Sequence, residues 1–221
     1  SSSAASDVYK RQALAKAVSF EDLSSREGLQ RSEQAWEKCA DLAQRDDILA
    51  AFSEAVAQAG VAGERKLVQL LYLALTSRLT EKPVPVAVVG PSAGGKNHVL
   101  GTVLEFMPPR VYYALSSMSE HALVYSEEPF DHRFLVVYEL AGLNSDFAAY
   151  LLRSLLSERR IRYETVEKDP AGVLRARLIE RQGPTGLILT TTRAQLHPEN
   201  ATRMLTATIT DTPEQTGAVL R

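Results

Sequence analysis

The chain has 221 residues, a net charge of −2 at pH 7, 45% hydrophobic and 24% charged residues. These values fit a globular protein with one α/β domain of ordinary size. They exclude a general basic field for holding nucleic acid, so any such contact must come from a local patch. The single cysteine, Cys39, excludes an internal disulfide framework or a cysteine-based metal site. No apolar run is long enough to cross a bilayer, which points to the cytoplasm and away from a membrane partner.

In chain order, residues 1–12 lack the apolar core of a targeting peptide. Asp7-Val8-Tyr9-Lys10-Arg11-Gln12 resembles the translation of a transposon-based sequencing adapter, GAT-GTG-TAT-AAG-AGA-CAG. Residues 1–12 are therefore set aside as an adapter-derived or disordered tail, and the chain is expected to be a piece of a longer gene product. Residues 13–80 form a helical region. Glu33–Ala43 and Asp47–Ala59 carry apolar residues at helical spacing (Ile48, Leu49, Phe52, Val56), and Cys39 is expected to be a small buried residue. Glu64–Leu79 is apolar on most faces, through Leu67, Val68, Leu70, Leu71, Leu73, Leu75 and Leu79, which predicts a buried helix.

From residue 81 onward the pattern changes. Val84–Val89 is an apolar β-branched run that stops at Gly90. After four intervening residues come Gly95 and Lys96, then an apolar helical pattern from His98 to Met107. Strand, glycine-rich turn and helix in this order are the layout of a phosphate-binding P-loop. Glycines let the backbone close around a phosphate, and the N–H groups of the turn and the helix N-terminus point at the anion. Gly90, Pro91, Ser92, Ala93, Gly94, Gly95, Lys96, Asn97 and His98 are the candidate nucleotide contacts, with Lys96 on the β- and γ-phosphates. The position after the lysine is ordinarily Ser or Thr, whose hydroxyl binds Mg²⁺. Here it is Asn97, whose amide oxygen is the candidate ligand.

Pro108-Pro109 stops the helix. Arg110–Leu115 reads as a strand, Ser119–Tyr125 as a short helix, and Phe134–Glu139 as an apolar strand ending in a carboxylate, as in a parallel sheet buried on both faces. In P-loop ATPases such a strand ends in an acidic pair, one member for the metal and one for the attacking water. Glu139 fits the second role and is also a candidate Mg²⁺ contact, while Tyr138 stands in place of the first. The alternative for Glu139 is a carboxylate that caps a turn. Asp146–Ser157 is an amphipathic helix capped by Asn144 or Ser145. Ile161–Val166 and Val173–Ile179 alternate across a turn at Asp169–Gly172, a β-hairpin signal within an insert at about 159–181.

Gly186–Thr191 is a further buried strand ending in Thr190-Thr191-Thr192, from which Thr191 is the candidate for holding the attacking water; simple β-propensity is the alternative. Leu205–Ile209 is a fifth strand. Arg203 before it suits a finger that stabilises transition-state charge in a neighbouring subunit, with Arg193 a competitor and a surface arginine the alternative. The hairpin segment holds seven basic residues (Arg159, Arg160, Arg162, Lys168, Arg175, Arg177, Arg181) against four acidic ones (Glu164, Glu167, Asp169, Glu180). It is a candidate contact to a phosphate backbone, with cross-strand ion pairs as the alternative. Strands alternating with helices give a doubly wound parallel α/β fold.

Taken together, these pieces resemble an AAA+ ATPase module, closest to the ATPase segment of replication proteins of phages and mobile elements. The resemblance rests on 70–78, 90–96, Met118-Ser119-Glu120, 163–168, His197–Asn200 and Thr210–Gln215. The order helix, hairpin, strand is also similar to that of minichromosome-maintenance helicases, whose hairpin faces a DNA channel. The resemblance implies ATP and Mg²⁺ as cofactors, DNA as partner, a ring of identical subunits, a primase-like region upstream and a helical lid beyond residue 221. The expected function is an ATP-driven motor on DNA. A nucleotide-gated binding module that does not hydrolyse ATP, or a small-molecule kinase, are the rivals.

Overall fold

In a computed structural model the structure describes residues 29–30, 33–34, 36–42, 44–116, 122–139, 146–158, 160–168, 170, 172–192 and 202–209. The chain divides into two units, Ser1–Ile48 and Leu49–Arg221. In the first, the described residues between 29 and 42 are helical. Trp36 and Leu42 are exposed there, and Cys39 is exposed as well. The expectation of a buried thiol fails because no described residue of this segment lies in a packed face.

The second unit holds the site. Helix α1 is Ile48–Gln58 and α2 is Arg65–Thr76, continued by one 3₁₀ turn at Ser77–Leu79. Helix α2 buries Leu67, Val68, Leu71, Ala74 and Leu75, whereas Leu73 and Leu79 are exposed. It is thus a one-sided amphipathic helix and not buried all round, because its buried positions follow the i, i+4, i+7, i+8 stripe. Strand β1 is Val86–Val89, shorter by two residues than the apolar run suggests; Pro85 has no N–H to give to a ladder. There follow α3 (Lys96–Glu105), β2 (Tyr112–Leu115), α4 (Ala122–Tyr125), β3 (Arg133–Val137), α5 (Asp146–Glu158), β4 (Ile161–Lys168), β5 (Leu174–Arg181), β6 (Thr185–Thr191) and β7 (Leu205–Thr208).

Five strands form one parallel sheet in the order β2-β3-β6-β1-β7. Its residues alternate between two apolar layers. Val86, Val88, Phe134, Val136 and Ile188 pack with α2 and α3 on one face. Ala87, Val89, Leu135, Val137, Leu187 and Leu189 pack on the other with Leu151 and Leu155 of α5. Both faces are covered, which is why the central strands read as unbroken apolar runs. This is the doubly wound α/β fold of P-loop NTPases. Gly186 is required by packing: a Cβ there would lie 2.3 Å from the Phe134 ring on the neighbouring strand.

Strands β4 and β5 form a separate antiparallel hairpin of eight-residue strands. It is longer than its apolar alternation indicates, because the outer half is exposed and its hydrophobicity does not mark its limits. The expected caps Asn144 and Ser145, the turn residues Asp169 and Ala171, and the turn Asp211–Pro213 lie outside the described residues.

Candidate phosphate-binding site

The loop between β1 and α3 is built by close packing and two left-handed residues. The Gly90 N–H donates to Thr191 O at 3.2 Å, tying the end of β1 to β6. The Gly94 N–H donates to Pro91 O at 3.2 Å, and a Cβ on Gly94 would sit 2.9 Å from Pro91 Cγ, so only glycine closes this turn without displacement. Gly95, at the start of α3, has φ 78°, a conformation that glycine adopts without strain. Ala93 also lies in the left-handed region, at φ 62°, where a Cβ costs roughly 1–2 kcal/mol.

The first intrahelical bond that follows is Val99 N–H to Gly95 O. The N–H groups of Lys96, Asn97 and His98 thus precede it, as in any helix start that receives an anion. Lys96 is 5% exposed. Its ammonium donates to Gly90 O at 3.1 Å and also to Pro91 O, so it lies inside the curve of the loop. Residues 93–98 and Glu139 line a cleft of about 240 Å³. Pro91 and Ser92 are exposed and stand outside that lining. His98 reaches from α3 to Gly60 O at 3.4 Å.

Glu139 comes to the cleft from the end of β3, two strands away from β1 in the sheet. It lies beyond the strand, which ends at Val137, and its φ of 57° is left-handed. A non-glycine residue held this way is a strained position of the kind found at functional sites. Its N–H donates to Thr190 Oγ1 at 2.9 Å, and the Thr190 hydroxyl donates to Asn97 Oδ1 at 2.8 Å. The strand between β3 and β1 therefore joins the carboxylate turn to the loop helix.

Thr190, fully buried, is the threonine that meets the loop. Thr191, the expected residue, donates to Thr192 O at 3.2 Å and alternates onto the other face of β6. Thr190 shares its face with Ile188, two residues earlier on the same strand, which packs on the α3 side. Tyr138 packs partly buried against the α3 layer, with its hydroxyl over Gly101, where a Cβ would be 3.9 Å away. Burial, then Tyr112, raises its pKa above the ordinary value of 10.0, so the phenol keeps its proton.

The loop fits a nucleotide's phosphates: backbone N–H groups, an ammonium and a shaped turn converge on one cleft. A metal held between loop and strand end is a poorer match. Tyr138 offers a neutral phenol in place of a carboxylate, and the Asn97 oxygen is engaged by Thr190. Among the described residues no group of three or more His, Cys, Asp or Glu is placed to hold an ion.

Arg203 is not brought to this cleft. Leu205 pairs with Val86 at the N-terminal edge of the sheet, whereas the loop leaves the C-terminal edge after Val89. The Arg203 guanidinium donates to Ser157 Oγ on α5. In the hairpin, Arg177 pairs with Glu167 at 2.8 Å and Arg160 with Glu180 at 3.4 Å, and Arg181 donates to Val124 O. Arg175 shares the Arg177 face, across from Glu167. Arg162 and Lys168 are on the opposite, exposed face. Arg159, Arg193 and His197 lie outside the described residues. No described helix is long and apolar enough to cross a membrane.

The MTBMA_p00010 P-loop domain family matches residues 33–221. Among solved structures, NtrX from Brucella abortus in complex with ATP is similar at 10% identity and a TM-score of 0.40, over 88% of this chain and 43% of that one. A DNA polymerase III gamma subunit-related protein from Thermotoga maritima is similar at 14% identity and a TM-score of 0.37, over 65% of this chain and 47% of that one. The chain thus spans less than half the length of either. No curated protein matches it.

Proposed function

We propose, for a chain that belongs to the MTBMA_p00010 P-loop domain family, that loop 90–98 binds ATP. On this reading the module is the ATPase part of a longer cytoplasmic protein that acts on DNA in the replication of a phage or mobile element. One observation carries the ATP reading: Lys96 and the helix start share a single cleft with Glu139, which arrives from a different strand. The Lys96 ammonium exchanges the carbonyls of Gly90 and Pro91 for β- and γ-phosphate oxygens. Glu139 accepts a proton from the water that attacks the γ-phosphate, releasing ADP and phosphate. Isothermal titration of an ATP analogue against the chain and Lys96→Ala tests this. Loss of charge-assisted bonds weakens binding by at least about tenfold; unchanged affinity overturns the assignment.

DNA contact is proposed through Arg162 and Lys168, which stand on the exposed hairpin face together with Glu164 and Glu180. We further propose a ring of identical subunits in which Arg203, which lies at the sheet edge away from its own loop, serves a neighbour's site. The second reading, a nucleotide-gated module without turnover, is favoured by one observation, the neutral Tyr138 in the carboxylate position. DNA-stimulated release of phosphate by the full-length protein separates the two. A small-molecule kinase is the weaker third reading, since the sequence carries no acceptor-binding motif.

A further inference from the structure

We propose that Asn97 meets the nucleotide with its amide N–H₂, as a hydrogen-bond donor to a phosphate oxygen and not as a metal ligand, so that the loop holds ATP without a bridging Mg²⁺. This rests on the reading of loop 90–98 as an ATP site and adds to it how the phosphates are held.

The inference starts from a group whose role is fixed. A backbone N–H can only donate, and that of Glu139 does so to Thr190 Oγ1 at 2.9 Å. The Thr190 hydroxyl still has one proton to place. Thr190 is 0% exposed, and a buried hydroxyl proton takes an acceptor. Asn97 Oδ1, at 2.8 Å, is that acceptor. The amide is planar, so fixing its oxygen toward β6 turns its nitrogen away from β6. Asn97 lies in the first turn of α3 and lines the cleft beside Lys96 and His98. Its N–H₂ therefore joins the Lys96 ammonium and the N–H groups at the helix start.

This set consists of donors, and a phosphate oxygen is an acceptor. Mg²⁺ makes the opposite demand, for oxygen ligands in octahedral array. The Asn97 oxygen is already bonded, and the Tyr138 hydroxyl lies over Gly101, one helical turn further along α3. Among the described residues Glu139 is the single carboxylate lining the cleft.

Titration of a non-hydrolysable ATP analogue at constant ionic strength, with Mg²⁺ or with EDTA, tests the inference on the wild-type chain, Asn97→Asp, Thr190→Val and Lys96→Ala. The wild-type affinity is expected to differ by less than about threefold between the two conditions. Asn97→Asp keeps the size of an exposed side chain while exchanging its donor for an acceptor. It should lose about ten- to a hundredfold in EDTA and recover with Mg²⁺. Thr190→Val releases the amide and should give an intermediate metal dependence. Wild-type binding that falls more than about tenfold in EDTA, yet is still weakened about tenfold or more by Lys96→Ala, overturns this inference and leaves the ATP site standing. Asn97→Asp binding like the wild type in EDTA also overturns it. An absence of binding in every condition overturns the ATP site and the inference together.

Discussion

Replacing Gly90 by alanine should strain the loop through one identifiable neighbour. A Cβ at Gly90 would lie 2.3 Å from Ile209 Cγ2 and 3.5 Å from Lys96 Cγ and Cδ. Ile209 is 5% exposed, and its N–H donates to Val89 O at 3.0 Å, so it cannot swing aside without opening the end of β7. Overpacking of this kind costs about 1–3 kcal/mol. Ile209→Ala removes the clashing methyl and leaves a cavity, at a cost of about 2–5 kcal/mol. In the double variant the new methyl at position 90 occupies part of that cavity. The combined cost should then fall short of the sum by about 1–2 kcal/mol, within the range for residues in contact. Urea denaturation of the four proteins in one buffer, with equal m-values, measures the coupling. The same series should show ATP-analogue affinity reduced in Gly90→Ala and partly restored in the double variant, because Gly90 O holds the Lys96 ammonium. Costs that add to within about 0.5 kcal/mol would refute the steric account.

Two further predictions concern the partners. Arg162→Ala with Lys168→Ala should weaken DNA binding by the full-length protein across sequences and lower its salt slope by about one for each phosphate left without its cation; Arg177→Ala, whose guanidinium is paired with Glu167, should change the slope less. An unaltered slope in the first variant removes the hairpin from the interface. Arg203→Ala should leave ATP affinity intact while reducing turnover of the assembled protein about a thousandfold or more, and equal turnover would dismiss the finger.

Much of the fold was legible because the central strands are buried on both faces. The runs Val84–Val89, Phe134–Glu139 and Gly186–Thr191 stand out and overlap the observed β1, β3 and β6, and Gly90 to Lys96 announces the turn between β1 and α3. The ends were less legible. Glu139 reads as a strand residue by pattern, whereas a left-handed turn carries it away from β3 into the cleft. Leu73 and Leu79 read as core, yet the packing of α2 leaves them in solvent. Which of Thr190 and Thr191 serves the site depends on the face of β6 that meets α3, and side-chain alternation without a known partner face does not choose between them.

The two departures of the site, Asn97 and Tyr138, are better understood together with Thr190 as one local set than as separate losses. Positions 97 and 101 share a face of α3, one turn apart. Asn97 is engaged there by Thr190, and Gly101 leaves room for the Tyr138 hydroxyl. A carboxylate at 138 would enter a half-buried layer whose neighbours include Phe134, Val136 and Tyr112, where desolvation disfavours its charge unless a cation pairs with it. A neutral phenol carries no such demand. Once no anionic carboxylate stands at 138, a hydroxyl at 97 would be without the partner that completes a metal site. An amide at 97 instead gains the buried Thr190 hydroxyl on one branch and a phosphate oxygen on the other. Asn97, held by Thr190, and the neutral Tyr138 thus leave the site with no demand for a cation, and Asn97→Asp, by placing an anionic acceptor in the cleft, is the change that should introduce one.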